Sequence, residues 1–201
     1  MLIIGLTGTI GSGKSTIAGF MQDMGAPIID ADKIGHEVYL PHSFGWQKVV
    51  AAFGESILSQ DKSIDRQNLG EIVFNDPDEL KRLNHIVHPL IIQSIKDVLE
   101  ELRRNHAKIV VLDAALLIEA GLESLADEIW VTTAPENVLY KRLSTSRNLT
   151  SQQIRQRIDA HMPAAKQIKY ATRVIDTNVP LDELKAKIAL LWEEISIRIA
   201  K

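Results

Sequence analysis

Three features of the 201-residue chain predict a doubly wound α/β fold built on a parallel sheet: five short apolar segments, helical periodicity between them, and a glycine-rich loop directly after the first segment. The segments are Leu2–Thr7, Pro27–Asp30, Lys108–Asp113, Glu128–Thr133 and Arg173–Asp176. Their apolar character is continuous rather than alternating, which suits strands covered on both faces. Helical period is clearest in the last stretch. There Leu184, Ile188, Leu191, Trp192, Ile195 and Ile199 recur at threes and fours behind Pro180, with Asp182 and Glu183 in the first turn. Strands alternating with helices imply right-handed crossovers.

The spacing of the strands is uneven. About 75 residues separate Asp30 from Lys108, far more than one crossover helix needs. The gap predicts a helical insertion over residues 35–105, with helices at Ser43–Phe53 and around Pro77–Arg104, the second broken or restarted at Pro89. A second excursion, residues 136–171, separates strands four and five and is expected to form a helical lid. The core is then 1–34, 106–135 and 172–201, all within one chain-long domain.

Composition narrows the class of protein. Hydrophobic residues make up 45% and charged residues 24%, with a net charge of -3, as in ordinary water-soluble domains. There is no cysteine, so disulfides, thiolate zinc sites, iron–sulfur clusters and cysteine nucleophiles are excluded together. No basic region precedes the apolar N-terminal run, and runs such as Ala114–Ile118 fall far short of the roughly 20 residues a membrane helix needs. A cytoplasmic protein without a membrane partner is expected, and a monomer and a small homo-oligomer fit the composition equally.

Charge is not spread evenly. Tyr140 to Arg173 carries a local balance of +7 and the rest of the chain -10. An isolated cluster of this kind is most simply a solvated helical face, but in an acidic chain it also suits a partner rich in negative charge. Nucleic acid is disfavoured, because only Tyr140 and Tyr170 in that segment could stack on bases.

Gly8-Thr9-Ile10-Gly11-Ser12-Gly13-Lys14-Ser15-Thr16 fits G-x-x-x-x-G-K-[ST] between a strand and an amphipathic helix, and so predicts the P-loop NTPase three-layer fold. Backbone N–H groups of Gly11, Ser12, Gly13, Lys14, Ser15 and Thr16 would cradle the phosphates of ATP at a helix N-terminus. Lys14 would bridge the β- and γ-phosphates, and the Ser15 hydroxyl would ligate Mg²⁺. Asp113 ends an apolar strand, where a carboxylate can hold Mg²⁺, or alternatively cap a helix beginning at Ala114. Asp30-Ala31-Asp32 closes strand two; Asp30 suits a helix cap and Asp32 an acceptor hydroxyl.

Asp32-Lys33-Ile34-Gly35 also matches the D-x-x-G of GTPase switches, but it follows the P-loop too closely and no guanine-reading N-K-x-D occurs. Arg142 and Arg147, past strand four, fall where a lid would bring guanidinium groups over the transferring phosphoryl group. His85 and His88 lack a third ligand in sequence, so a packing or substrate-pocket role suits them better than a metal.

These residues resemble the dephospho-CoA kinase family nearly end to end. The matching pieces are Gly5-Leu6-Thr7-Gly8 with the P-loop, Ile29-Asp30-Ala31-Asp32 with His36, Asp65-Arg66 with Leu69 and Phe74, and His88-Pro89-Leu90-Ile91. Leu112-Asp113 with Leu116-Leu117-Ile118-Glu119, Arg142-Leu143, and Val174-Ile175-Asp176 with Asn178 complete the likeness. It implies transfer of the ATP γ-phosphoryl group to the ribose 3′-hydroxyl of dephospho-CoA. It also implies catalytic roles for Lys14, Asp32 and Arg142, a place for Thr7, Asp32, His36 and His88 on the acceptor side, CoA binding by the insertion, and a basic lid. The chain departs from the family pattern at Thr9, Ala114-Ala115, Ile118, His161 and Thr172, and in the lid, where R-L-x-x-R has Ser146 in its last place and the arginine one later, at Arg147.

Overall fold

The computed structural model describes residues 1–147 and 149–200, without the side chains of Ser146 and Arg147. Five strands form one sheet in the order β2-β3-β1-β4-β5: β1 Leu2–Gly8, β2 Ile28–Asp30, β3 Ile109–Asp113, β4 Glu128–Thr133 and β5 Arg173–Asp176. Every neighbouring pair is parallel. The expected sheet is therefore present, and its near-continuous apolar strands are the buried ones. Helices α1 (Lys14–Asp23), α2 (Ala31–Glu37), α3 (Phe44–Phe53), α4 (Arg66–Asn75) and α5 (Pro77–Arg104) precede β3. After β4 come α6 (Glu136–Arg147), α7 (Ser151–Asp159) and the single turn α8 (Ala164–Gln167), and α9 (Leu181–Ile199) follows β5.

The chain divides into two compact units, Met1–Asp30 with Leu102–Lys201, and Ala31–Glu101. In the first, Ile4, Leu6, Ile109, Val111 and Trp130 of the sheet pack with Ile17 and Met21 of α1 and Leu184, Ile188 and Ile195 of α9. The periodic stripe read in α9 is thus its buried face, and Leu191, Trp192 and Ile199 lie partly buried beside it. The second unit is helical. Val49, Ile57, Leu69, Val73 and Val87 form its core, and Asp65 caps α4 by accepting the N–H groups of Gln67 and Asn68 at 2.9 and 3.1 Å.

One expectation is corrected here. Helix α5 runs through Pro89 without a break. Proline forfeits one i→i−4 hydrogen bond, but Val87 before it and Ile95 and Leu99 after it are all buried. Pro77 sits in the first turn with Asp78 and Glu79, and Arg103 and Arg104 lie in the last turn. Burial and favourable ends on both sides outweigh one lost bond.

At the start of β4, Glu128 is 5% exposed. One carboxylate oxygen accepts the Trp130 indole N–H at 2.9 Å, Arg198 of α9 pairs with the other, and Arg173 lies at 3.6 Å. Burial alone would push this carboxyl up, but the hydrogen bonds from Trp130 and Arg198 and the charges of Arg198 and Arg173 together hold it below the ordinary glutamate value. A carboxyl lowered by folding contributes stability above its unfolded pKa, and that contribution is lost as pH falls through the lower folded value. The melting temperature should therefore fall on acidification below about pH 4.5. Glu128→Gln should cost about 1–3 kcal/mol at neutral pH and flatten that acid limb; melting curves of both proteins across pH 3–7, a range of roughly four units chosen to bracket the glutamate pKa, test this.

Candidate active site

The P-loop leaves β1 at Gly8. A Cβ on Gly8 would lie 2.1 Å from Thr132 Oγ1 and 2.6 Å from Ser12 Oγ, so no side chain fits there. The crowding reflects a short chain of hydroxyls. Thr132 donates to the Thr7 carbonyl at 3.2 Å, which leaves it to accept from Ser12 at 2.6 Å. This ties the loop to β4. Gly8→Ala should destabilise the fold by about 1–3 kcal/mol through overpacking and weaken nucleotide binding, which melting and ADP titration would show. Gly11 and Gly13 hold φ of 81° and 89°, left-handed conformations that make the loop's tight bends.

Helix α1 opens at Lys14 with Ser15 and Thr16 exposed in its first turn. The Lys14 ammonium pairs with a carboxylate oxygen of Asp113, their side chains being 16% and 13% exposed. The sheet brings them together, because β1 and β3 are neighbours with Leu6 opposite Asp113. No helix starts at Ala114: its N–H donates to the Leu6 carbonyl at 3.1 Å and turns follow. The alternative of Asp113 as a helix cap is thereby set aside. A hydroxyl and one carboxylate are hard oxygen donors, few enough to leave room for phosphate and water, which is how Mg²⁺ is ordinarily held. Among the described residues no group of three or more His, Cys, Asp or Glu side chains forms a protein cage for a metal.

Arg142 of α6 lies along the other flank of the loop. Its guanidinium donates to the Gly11 carbonyl at 3.3 Å, the Thr177 hydroxyl at 2.9 Å and the Thr177 carbonyl at 2.8 Å. Beside it opens a cavity of about 540 Å³ lined by Val138, Lys141, Arg142, Thr145 and Asn178. The Arg147 side chain lies outside the described residues. Thr7 is 1% exposed and donates to the Ala115 carbonyl at 3.3 Å, bracing β1 against the turn after β3.

The remaining candidates belong to the second unit. Asp32 is exposed in the first turn of α2 and His36 is exposed in its last. His88 of α5 is half-buried, and desolvation holds its imidazole below the usual histidine range, favouring the neutral form. Together with Lys81, Asn84, His85 and Pro89 it lines an open pocket of about 340 Å³.

Residues 2–183 match the family model described as dephospho-CoA kinase. The chain belongs to the dephospho-CoA kinase family. A dephospho-CoA kinase of Moorella thermoacetica is 42% identical over 201 residues, covering 100% of this chain and 95% of that protein. The solved structure of TT1252 from Thermus thermophilus superposes with a TM-score of 0.80 at 32% identity, covering 96% of this chain and 97% of that one. Dephospho-CoA kinase from Campylobacter jejuni gives a TM-score of 0.72 at 27% identity, with 96% of each chain covered.

Two residues of this dephospho-CoA kinase family member that touch the P-loop were not found from the sequence. Thr132 and Thr177 lie 120 and 165 residues from Ser12 and belong to no local motif. The one available signal was position: each stands at the carboxyl end of a strand, at the sheet edge where the P-loop also lies.

Proposed function

We infer that this chain transfers the γ-phosphoryl group of ATP to the ribose 3′-hydroxyl of dephospho-CoA, giving coenzyme A and ADP, the last step of coenzyme A biosynthesis. The observation that carries the reading is the P-loop at the end of β1 with Lys14 against Asp113, in a chain whose family match spans residues 2–183. Phosphoryl transfer asks the protein mainly for positioning and charge. The loop's N–H groups and the α1 dipole hold the β- and γ-phosphates. Lys14, released from Asp113, and Arg142 at the rim of the loop offset the charge that spreads over the transferring group. Ser15 and Asp113 would hold Mg²⁺, which when bound supplies further positive charge at the phosphates.

The Ala31–Glu101 unit is assigned to the acceptor, with Asp32 orienting the 3′-hydroxyl and accepting its proton late in the transfer. His36 and His88 are assigned to the same acceptor, as is Thr7, whose hydroxyl braces β1 through the Ala115 carbonyl. The cavity beside Arg142 has the volume of a small-ligand site and suits the donor's adenine. Residues 136–171 act as a lid that excludes water until the acceptor is bound. No described helix is long and apolar enough to cross a membrane, in keeping with a cytoplasmic location.

The test is ADP release from Mg-ATP with dephospho-CoA, AMP and CMP offered in turn. Release with dephospho-CoA alone is expected, with hydrolysis in the absence of acceptor far slower. Comparable release with AMP would overturn the acceptor, and fast acceptor-free hydrolysis would overturn the lid.

A further inference from the structure

We propose that Thr177 is a positioning residue for the donor nucleotide, setting the P-loop and Arg142 in one rigid frame. It lies between β5 and α9, is 1% exposed, and uses every polar group it has. Its N–H donates to the Thr133 carbonyl at 2.9 Å, and its carbonyl accepts from Arg142 at 2.8 Å. Its hydroxyl stands 2.9 Å from Arg142 and 2.7 Å from the Ser12 carbonyl. A guanidinium can only donate, so Arg142 donates to the hydroxyl; the hydroxyl's own proton goes to the Ser12 carbonyl at 2.7 Å, the nearer of its two acceptors, the Thr133 carbonyl standing at 3.2 Å.

That direction bears on phosphate binding. In a trans peptide the C=O and the following N–H point to opposite sides. Drawing the Ser12 carbonyl toward Thr177 therefore turns the Gly13 N–H away from it, to the side on which a P-loop receives phosphate. The Thr177 side chain also approaches within 3.3 Å of where a Gly13 Cβ would stand, so it packs directly against the bend at φ 89°. The same hydroxyl thus anchors the loop's peptide plane and the arginine that lines the neighbouring cavity. Neither role is visible in the segment Asp176-Thr177-Asn178 alone.

The proposal rests on the reading of this loop as the donor site, and its test uses ADP without acceptor so that the two can fail separately. Thr177→Val removes the hydroxyl at nearly constant shape and is expected to weaken ADP binding about tenfold, a difference of about 1.4 kcal/mol. Thr177→Ser, which keeps the hydroxyl, should bind within about twofold of the parent. In Arg142→Ala the added Thr177→Val change should cost much less than it does alone, because the two groups act as one. The KM for dephospho-CoA at saturating ATP should not move. Should Thr177→Val not fold, Thr177→Ala reads the same loss. Parental ADP affinity in Thr177→Val, or full additivity with Arg142→Ala, would overturn the proposal even if the melting temperature fell. Absence of transfer to dephospho-CoA with ADP binding intact overturns only the acceptor assignment; absence of ADP binding by the parent overturns this proposal as well.

Discussion

Lys14→Ala is expected to lose about a hundred- to a thousandfold in kcat, the scale of removing one preorganised charge-stabilising donor. The pairing with Asp113 adds a second consequence. With the ammonium gone, a carboxylate only 13% exposed loses the charge of Lys14, beside the loop proposed to hold the phosphates. ATP should then bind less tightly and the protein melt lower. Lys14→Ala/Asp113→Asn should recover part of the melting temperature and of the metal-free nucleotide affinity without recovering kcat. Steady-state kinetics with melting and titration separates these effects; near-parental kcat in the single variant would remove Lys14 from the chemistry.

Asp32→Asn is expected to lower kcat by about a hundred- to ten-thousandfold, the span usual for a group that takes up a proton in the transition state. The substitution keeps size and exposure but abolishes the charge and the ability to accept the proton. Asp32 lies in the Ala31–Glu101 unit, proposed to take the acceptor, and the P-loop belongs to the other unit, so ADP affinity should stay within about twofold of the parent. That split, turnover lost and donor binding kept, distinguishes it from Lys14→Ala. Unimpaired turnover would end its assignment as the proton acceptor.

The legible and illegible parts of this molecule divide on physical lines. Buried parallel strands betray themselves by continuous apolar runs, as in Ile109–Asp113; the edge strand Arg173–Asp176, where only Ile175 is buried, was bounded correctly all the same. The P-loop was legible because its glycines and lysine are contiguous, and Asp113 because an acid closing an apolar run is unusual. Pro89 misled because its local cost is real, while the burial of Val87, Ile95 and Leu99 that offsets it is set by tertiary packing. Thr132 and Thr177 were invisible for a different reason. A threonine near the end of a strand is ordinary in sequence, and these two matter only through contacts made across more than a hundred residues. Arg142 was singled out from its place after strand four, but its hydrogen bonds to Gly11 and Thr177 could not have been read there.

The central claim is tested most directly by the product. The full-length protein is incubated with Mg-ATP and dephospho-CoA, ADP and acyl-carrier product are quantified together, and tandem mass spectrometry locates the new phosphate. The account predicts one ADP per molecule of product, with the phosphate on the ribose 3′-oxygen, indistinguishable from coenzyme A. ADP formed without a phosphorylated acceptor, or a phosphate placed elsewhere on the molecule, would contradict it.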